Sequence, residues 1–341
     1  NYDDLLLYRV KVSDDTMFFF FQAEAGIRGL IVTGVQTCAL PISLFSVYLA
    51  LTVACAVAYY LVGMSAFDAV AHAFSTVAIG GFSTHDASMG YFENDGVLLV
   101  CSIFMCISAI NFGLHYLAWR RRSLAVFSKD SETRFFAGAL SACIVITCAY
   151  LIFTNTLDTR ESLIHGMFQA ISITTTTGFA TQDFASWPTF LPAMLLFFSF
   201  MGGCVGSTGG GIKAMRLMLI YKQGMRELKQ LVHPQAVIPL KVGQRRVPAT
   251  VVSAVWSFFA VYMFSFIIIL MLLMATGLDF RTAFSAVAAS LNNLGPGLGG
   301  VAAHYGDTSE TAKAILCFAM LLGRLEVFTL LVLFTPAFWR L

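Results

Sequence analysis

Apolar positions gather into six long runs, 44–62, 97–117, 135–153, 190–221, 249–275 and 312–334, each close to or above the roughly 20 residues a helix needs to cross a bilayer's hydrocarbon core. Six crossings are therefore expected. Between the first and second, third and fourth, and fifth and sixth runs lies a shorter segment of a different kind: SAFDAVAHAFSTVAIGG (65–81), SLIHGMFQAISITTTTG (162–178) and DFRTAFSAVAASLNNLG (279–295). Each opens on a helix-capping residue, Ser65, Ser162 or Asp279, and closes on a glycine 16 positions later, Gly81, Gly178 or Gly295. One such segment reads equally well as a turn between helices. Three in one register form an internal repeat of helix, re-entrant loop and helix.

Composition places the chain in lipid, since 58% of its 341 residues are hydrophobic and only 12% are charged, too apolar for a water-soluble domain of this length. Orientation follows from the connections. The stretch 119–134 carries Arg120, Arg121, Arg122, Lys129 and Arg134, and 213–246 carries eight Lys or Arg against the single acid Glu227. These face the cytoplasm. The repeat-bearing regions hold Arg160 and Arg281 among ten acids, including Asp68, Asp158, Asp183 and Asp279. The loops thus open outward into an acidic vestibule that concentrates cations. The cysteines show no CxxC pair and the histidines no HExxH spacing, so no metal site of the usual kinds and no catalytic residue is assigned.

A half-helix ending at membrane depth presents the negative end of its dipole, and the extended backbone beyond it adds carbonyl oxygens, a combination suited to a dehydrated monovalent cation. The glycines permit the positive-φ geometry that turns successive carbonyls one way. The fourth run contains GGCVGSTGGG (202–211), six glycines in ten residues, where each interior glycine costs a helix about 1 kcal/mol relative to alanine. Two readings stand: an intramembrane loop facing the ion path, or close helix packing through small residues. The sequence GSTGGGIK is not a nucleotide-binding P-loop, because Ile212 stands where the lysine belongs and no strand precedes it. Arg324, about ten residues into the last run, reads as a mid-membrane charge in the path or half of an interhelical salt bridge; Glu326, two residues on, points away from it.

The segments STVAIGGFSTHDASMGYF, TTTTGFAT, GGCVGSTGGGIKAMR, SLNNLGPGLG and GRLEVFTLLVLFTPAFW resemble the Trk/Ktr/HKT superfamily of potassium transport proteins, in its bacterial Trk branch, over residues 44–341. The resemblance implies an all-α transmembrane fold of tandem helix, pore-loop, helix repeats around a central ion path. Three of the family's four repeats are present: repeat two over 44–134, repeat three with a broken second helix over 135–247, and repeat four over 248–341. It further implies a potassium filter at Val77, Ala78, Ile79, Gly80 and Gly81, at Thr174, Thr175, Thr176, Thr177 and Gly178, and at Asn292, Asn293, Leu294 and Gly295. A gate is implied at Gly206, Ser207, Thr208, Gly209, Gly210, Gly211 and Arg324.

Potassium is then the transported ion, with no covalent cofactor and no nucleic-acid partner. The partners implied are membrane lipid, a second copy of the chain and a cytoplasmic nucleotide-binding regulatory subunit of the TrkA kind, at the bacterial inner membrane. Residues 17–43 resemble translated sequencing adapter, so 1–43 is expected to be foreign and the native gene to carry a first repeat there. The competing functions are a membrane-embedded enzyme or proton-coupled carrier, which would need acid, base or metal groups beside the loops, and an inactive fragment of a transporter.

Overall fold

The computed structural model describes residues 34–243, 245–334 and 338–339; the expectation of a foreign segment falls mostly on 1–33, outside them. The described residues are mostly helical. In the first unit α1 (Gly34–Leu61) leads through a turn to the half-helix α2 (Ala66–Val77), and the chain returns in α3 (Asp95–Ser108). After the connecting helices α4 (Phe112–Arg121) and α5 (Ala125–Lys129), the second unit runs α6 (Ser131–Phe153), α7 (Thr159–Thr174) and α8 (Phe190–Ser199). Helix α9 (Ala214–Val232) and the two-residue strands β1 (Lys241–Val242) and β2 (Arg245–Arg246) lead to the third unit, α10 (Ala249–Ala275), α11 (Phe280–Leu291) and α12 (Glu310–Arg324), followed by α13 (Phe328–Leu333).

The half-helices have 12, 16 and 12 residues, too short to cross a bilayer. Their starts are fixed by side-chain caps in two units: Ser65 Oγ accepts from Asp68 N, and Asp279 from Thr282 N. In the middle unit the helix begins a turn earlier than Ser162, with Asp158 at its N-cap position. The helix-compatible residues Thr159, Arg160 and Glu161 extend it, leaving Ser162 buried inside with its hydroxyl on Leu157 O.

Among the described residues three helices are long and apolar enough to span, 44–61 of α1, α6 and α10, and they are the first helix of each unit. The return helices are all interrupted. Run 97–117, expected as one helix, bends by 93° between α3 and α4, where Asn111 caps Gly113 N and Ala109 O accepts from Cys204 N instead of continuing a helical ladder. Run 190–221 breaks at the glycine segment, as the glycines require. Run 312–334, also expected continuous, breaks after Arg324, where Glu326 and Val327 take φ of 54° and 40°.

The middle unit sits between the other two, with α3 against α7 and α8 against α11. One core joins the first and middle units through Tyr59, Met105, Phe168 and Phe179. Another joins the middle and last units through Leu191, Leu195, Tyr262 and Leu273. Both cores converge on the C-terminal ends of the half-helices.

Candidate functional site

Each half-helix ends in the same hydrogen-bonded motif. In the first, Gly80 N donates to Ser75 O and Ile79 N to Thr76 O; in the second, Thr177 N to Ser172 O and Thr176 N to Ile173 O; in the third, Leu294 N to Ala289 O and Asn293 N to Ser290 O. This six-to-one plus five-to-two pattern is a Schellman cap, whose pivot residue must be left-handed. The pivots are Ile79, Thr176 and Asn293, with φ of 53°, 64° and 56°. Glycine normally fills that position, and an L-residue there costs roughly 1–2 kcal/mol. Because the pivots are an isoleucine, a threonine and an asparagine, residue type gave no sign of them; their common place two residues before the repeat glycine is the only signal. Carbonyls of the last helical turn, Ser75, Thr76 and their counterparts, are bonded within the cap, which leaves the carbonyls after the pivot outside it.

Two residues beyond each pivot, Gly81, Gly178 and Gly295 have φ of 69°, 88° and 100°. A Cβ on Gly81 would collide with Thr177 O of the middle unit, and one on Gly178 with Leu294 O of the last. Each of these glycines therefore lies hard against the next unit's backbone, and the three loops form an arc. At Gly295 a Cβ would meet nothing within 4 Å among the described residues. The hydroxyls of the threonine run turn inward, with Thr175 Oγ1 on Ile171 O at 2.8 Å and 2.8 Å from Thr177 Oγ1, and Thr174 Oγ1 3.5 Å from Cys143 Sγ. Asn292 is a packing anchor: its amide accepts from Tyr262 OH at 2.6 Å and donates to Ser199 Oγ at 3.0 Å.

The glycine segment is a closed loop, not a continuation of either flanking helix. Ile212 N donates to Phe200 O and Ala214 N to Gly203 O, pinching the roots together. Its tip reaches all three half-helix ends. Thr208 Oγ1 donates to Val77 O at 2.8 Å, Gly210 N to Thr176 Oγ1 at 2.7 Å, and Gly211 N to Asn292 O at 3.2 Å. Glycine is required by contact as well as by backbone angle, since a Cβ on Gly210 would collide with Asn292 O.

Two cations hold the loop's own carbonyls: Lys213 Nζ donates to Gly209 O, and Arg324 Nη1 to Thr208 O at 3.2 Å. Arg324 is therefore not buried within a continuous span. It ends α12, is exposed, and directs its guanidinium at the loop, because the chain breaks at the next residue. Glu326 does point away from it, and ion-pairs instead with buried Arg216 at 2.8 Å, whose guanidinium also lies 4.0 Å from the Phe258 ring centroid.

At the outer end Asp68 accepts from Thr84 and Ser65 hydroxyls, which hold its carboxyl below the usual range, and Thr282's hydroxyl and backbone do the same for Asp279. Both stay ionised at neutral pH. Among the described residues no His, Cys, Asp and Glu cluster has the arrangement of a metal site.

Residues 35–341 match the model of the TrkH family of cation transport proteins. The chain belongs to that family. It is 53% identical over 298 residues to the Trk system potassium uptake protein TrkH of Halomonas elongata and 50% identical over 299 residues to its namesake in Escherichia coli K12, alignments that cover 87% of this chain and 62% of each relative. The crystal structure of the potassium transporter TrkH from Vibrio parahaemolyticus superposes with a TM-score of 0.87 at 50% identity, covering 93% of this chain and 68% of that one. The chain thus spans about 62% of the length of these curated relatives. It is a helical, multi-pass membrane protein.

Proposed function

We propose that this TrkH-family chain forms part of a potassium path across the bacterial inner membrane, as a subunit of a Trk uptake system. The backbone from each pivot to its repeat glycine (79–81, 176–178 and 293–295) lines the filter, and the loop 206–211 with Arg324 closes the path beneath it. The observation that carries this reading is the single loop bonded to all three half-helix ends, from Val77 O to Thr176 Oγ1 to Asn292 O. A segment built only for helix packing has no reason to touch every repeat. The names of the relatives, potassium uptake proteins at 50% identity or more, supply the ion. With the Thr174, Thr175 and Thr176 hydroxyls engaged by protein partners and, among the described residues, no acid or base in the backbone stretch from pivot to glycine, selection rests on backbone oxygens replacing the hydration shell. This favours transport over chemistry, so we do not assign an enzyme activity. A second copy of the chain and a TrkA-like nucleotide-binding subunit on the basic cytoplasmic face belong to the same proposal.

The test is rubidium uptake by a potassium-uptake-deficient bacterium expressing the protein completed to the length of its relatives. Uptake competed by potassium far better than by sodium is expected. Equal competition by the two ions would overturn the potassium assignment.

A further inference from the structure

Helix α9 begins without a cap of its own: Lys213 occupies the N-cap position at φ 81°, and no side chain from the neighbouring sequence accepts from the first turn. The acceptor comes from 83 residues upstream. Glu132, in the first turn of α6 and only 1% exposed, takes Met215 N on Oε1 at 3.1 Å, and the same oxygen takes Val205 N at 2.7 Å. Met215 follows the glycine loop and Val205 precedes its 206–211 tip, so one carboxyl oxygen binds both legs of the loop at its base. The site suits a carboxylate, because two backbone N–H groups and the positive end of α9 converge on it.

From this geometry we propose that Glu132 is the positioning residue of the gate, clamping Val205 and Met215 as fixed ends between which only 206–213 moves. The inference rests on the gate reading above and deepens it. The loop's internal geometry agrees with where the clamp sets the ends: Gly206 and Gly211, the first and last residues of the tip, have φ of 75° and 73° and supply the pivots. Phe112 N holds Gly206 O at 3.0 Å. Motion of the tip then requires release of Thr208, Gly210 and Gly211 from the half-helix ends, while both legs stay seated on Glu132. The residue sits at the start of a long apolar run and reads from sequence as an ordinary acid near a helix N-terminus, which is why its role was not legible there.

Amide hydrogen exchange on the detergent-solubilised protein, resolved over peptides spanning 203–216, tests the clamp without any flux. Glu132→Ala should speed exchange at Val205 and Met215 by ~10-fold or more, since both lose their hydrogen-bond acceptor. Glu132→Gln, which keeps an acceptor of the same reach, should restore most of the protection, while exchange in α7 stays as in the parent. If the alanine variant does not accumulate, Glu132→Asp serves in its place: its shorter reach should loosen the same two amides. Unchanged exchange at both amides in Glu132→Ala, or in Glu132→Asp where the alanine variant is lost, or equal loosening in α7, would overturn the proposal. In rubidium-loaded vesicles holding the protein completed to the relatives' length, Glu132→Ala should raise basal efflux several-fold, with Gln near the parent. A clamp intact by exchange, with flux indifferent to loop deletion, would instead strike the gate reading alone.

Discussion

Thr176 carries two duties in one residue, the left-handed pivot of its half-helix and the acceptor for Gly210 N at 2.7 Å. Thr176→Val keeps shape and backbone strain but removes the acceptor, leaving a loop N–H unsatisfied at about 1–3 kcal/mol. Basal rubidium flux should rise several-fold in Thr176→Val and stay at the parent level in Thr176→Ser; equal flux in all three would remove the hydroxyl from the gate. The repeat glycines separate by the same logic. Gly81→Ala and Gly178→Ala force backbone against backbone at Thr177 O and Leu294 O, whereas Gly295→Ala meets only its φ of 100°. Melting of the purified 341-residue chain in detergent should show the third variant losing about 1–2 kcal/mol and the first two clearly more. An equal loss at all three would contradict the arc of interlocked loops. Arg324 reaches the loop through Nη1, which donates to Thr208 O. Arg324→Ala should raise cation flux by removing a positive charge and a loop tether together, and Arg324→Lys should restore part of the barrier; unchanged flux in the alanine variant counts against both effects.

At the scale of elements, sequence reading succeeded where one signal sufficed and failed where two segments had to meet. The apolar runs located α1, α6 and α10, and the common register located the half-helices, because length and periodicity are local properties. The glycines of 202–211 announced a break for the same reason. The bends after Ser108 and Arg324 were not legible, since what holds them is distant: Cys204 N on Ala109 O at the first, and, near the second, Arg216 with its ion pair to Glu326. The same limit hid Glu132, whereas the Schellman pivots were hidden locally, by residues other than glycine at the left-handed position. A loop whose roots and tip are fixed by several tertiary hydrogen bonds is specified mainly by its partners, and only its need for glycine shows in its own residues.

Across the whole molecule, the middle unit packs on both neighbours and the loop from its return helix reaches under all three half-helices. The fold therefore brings one loop, the segment proposed to move, to the place where the three units converge. As the proposed gate, such a segment is held by bonds to the half-helix ends, Thr208 to Val77, Gly210 to Thr176 and Gly211 to Asn292, each worth on the order of 1 kcal/mol net, and by the tethers from Arg324 to Thr208 O and Lys213 to Gly209 O. On the proposed reading, a cytoplasmic partner that opens this gate must supply the free energy of those bonds through its differential binding to the open state. The most direct test is rubidium flux through the protein completed to the length of its relatives, reconstituted in vesicles without any partner, with and without residues 206–211. The account predicts low flux in the parent and a large rise on deletion, with potassium still preferred over sodium. Equal flux in the two, with both proteins folded and inserted, would contradict the claim that this loop closes the path.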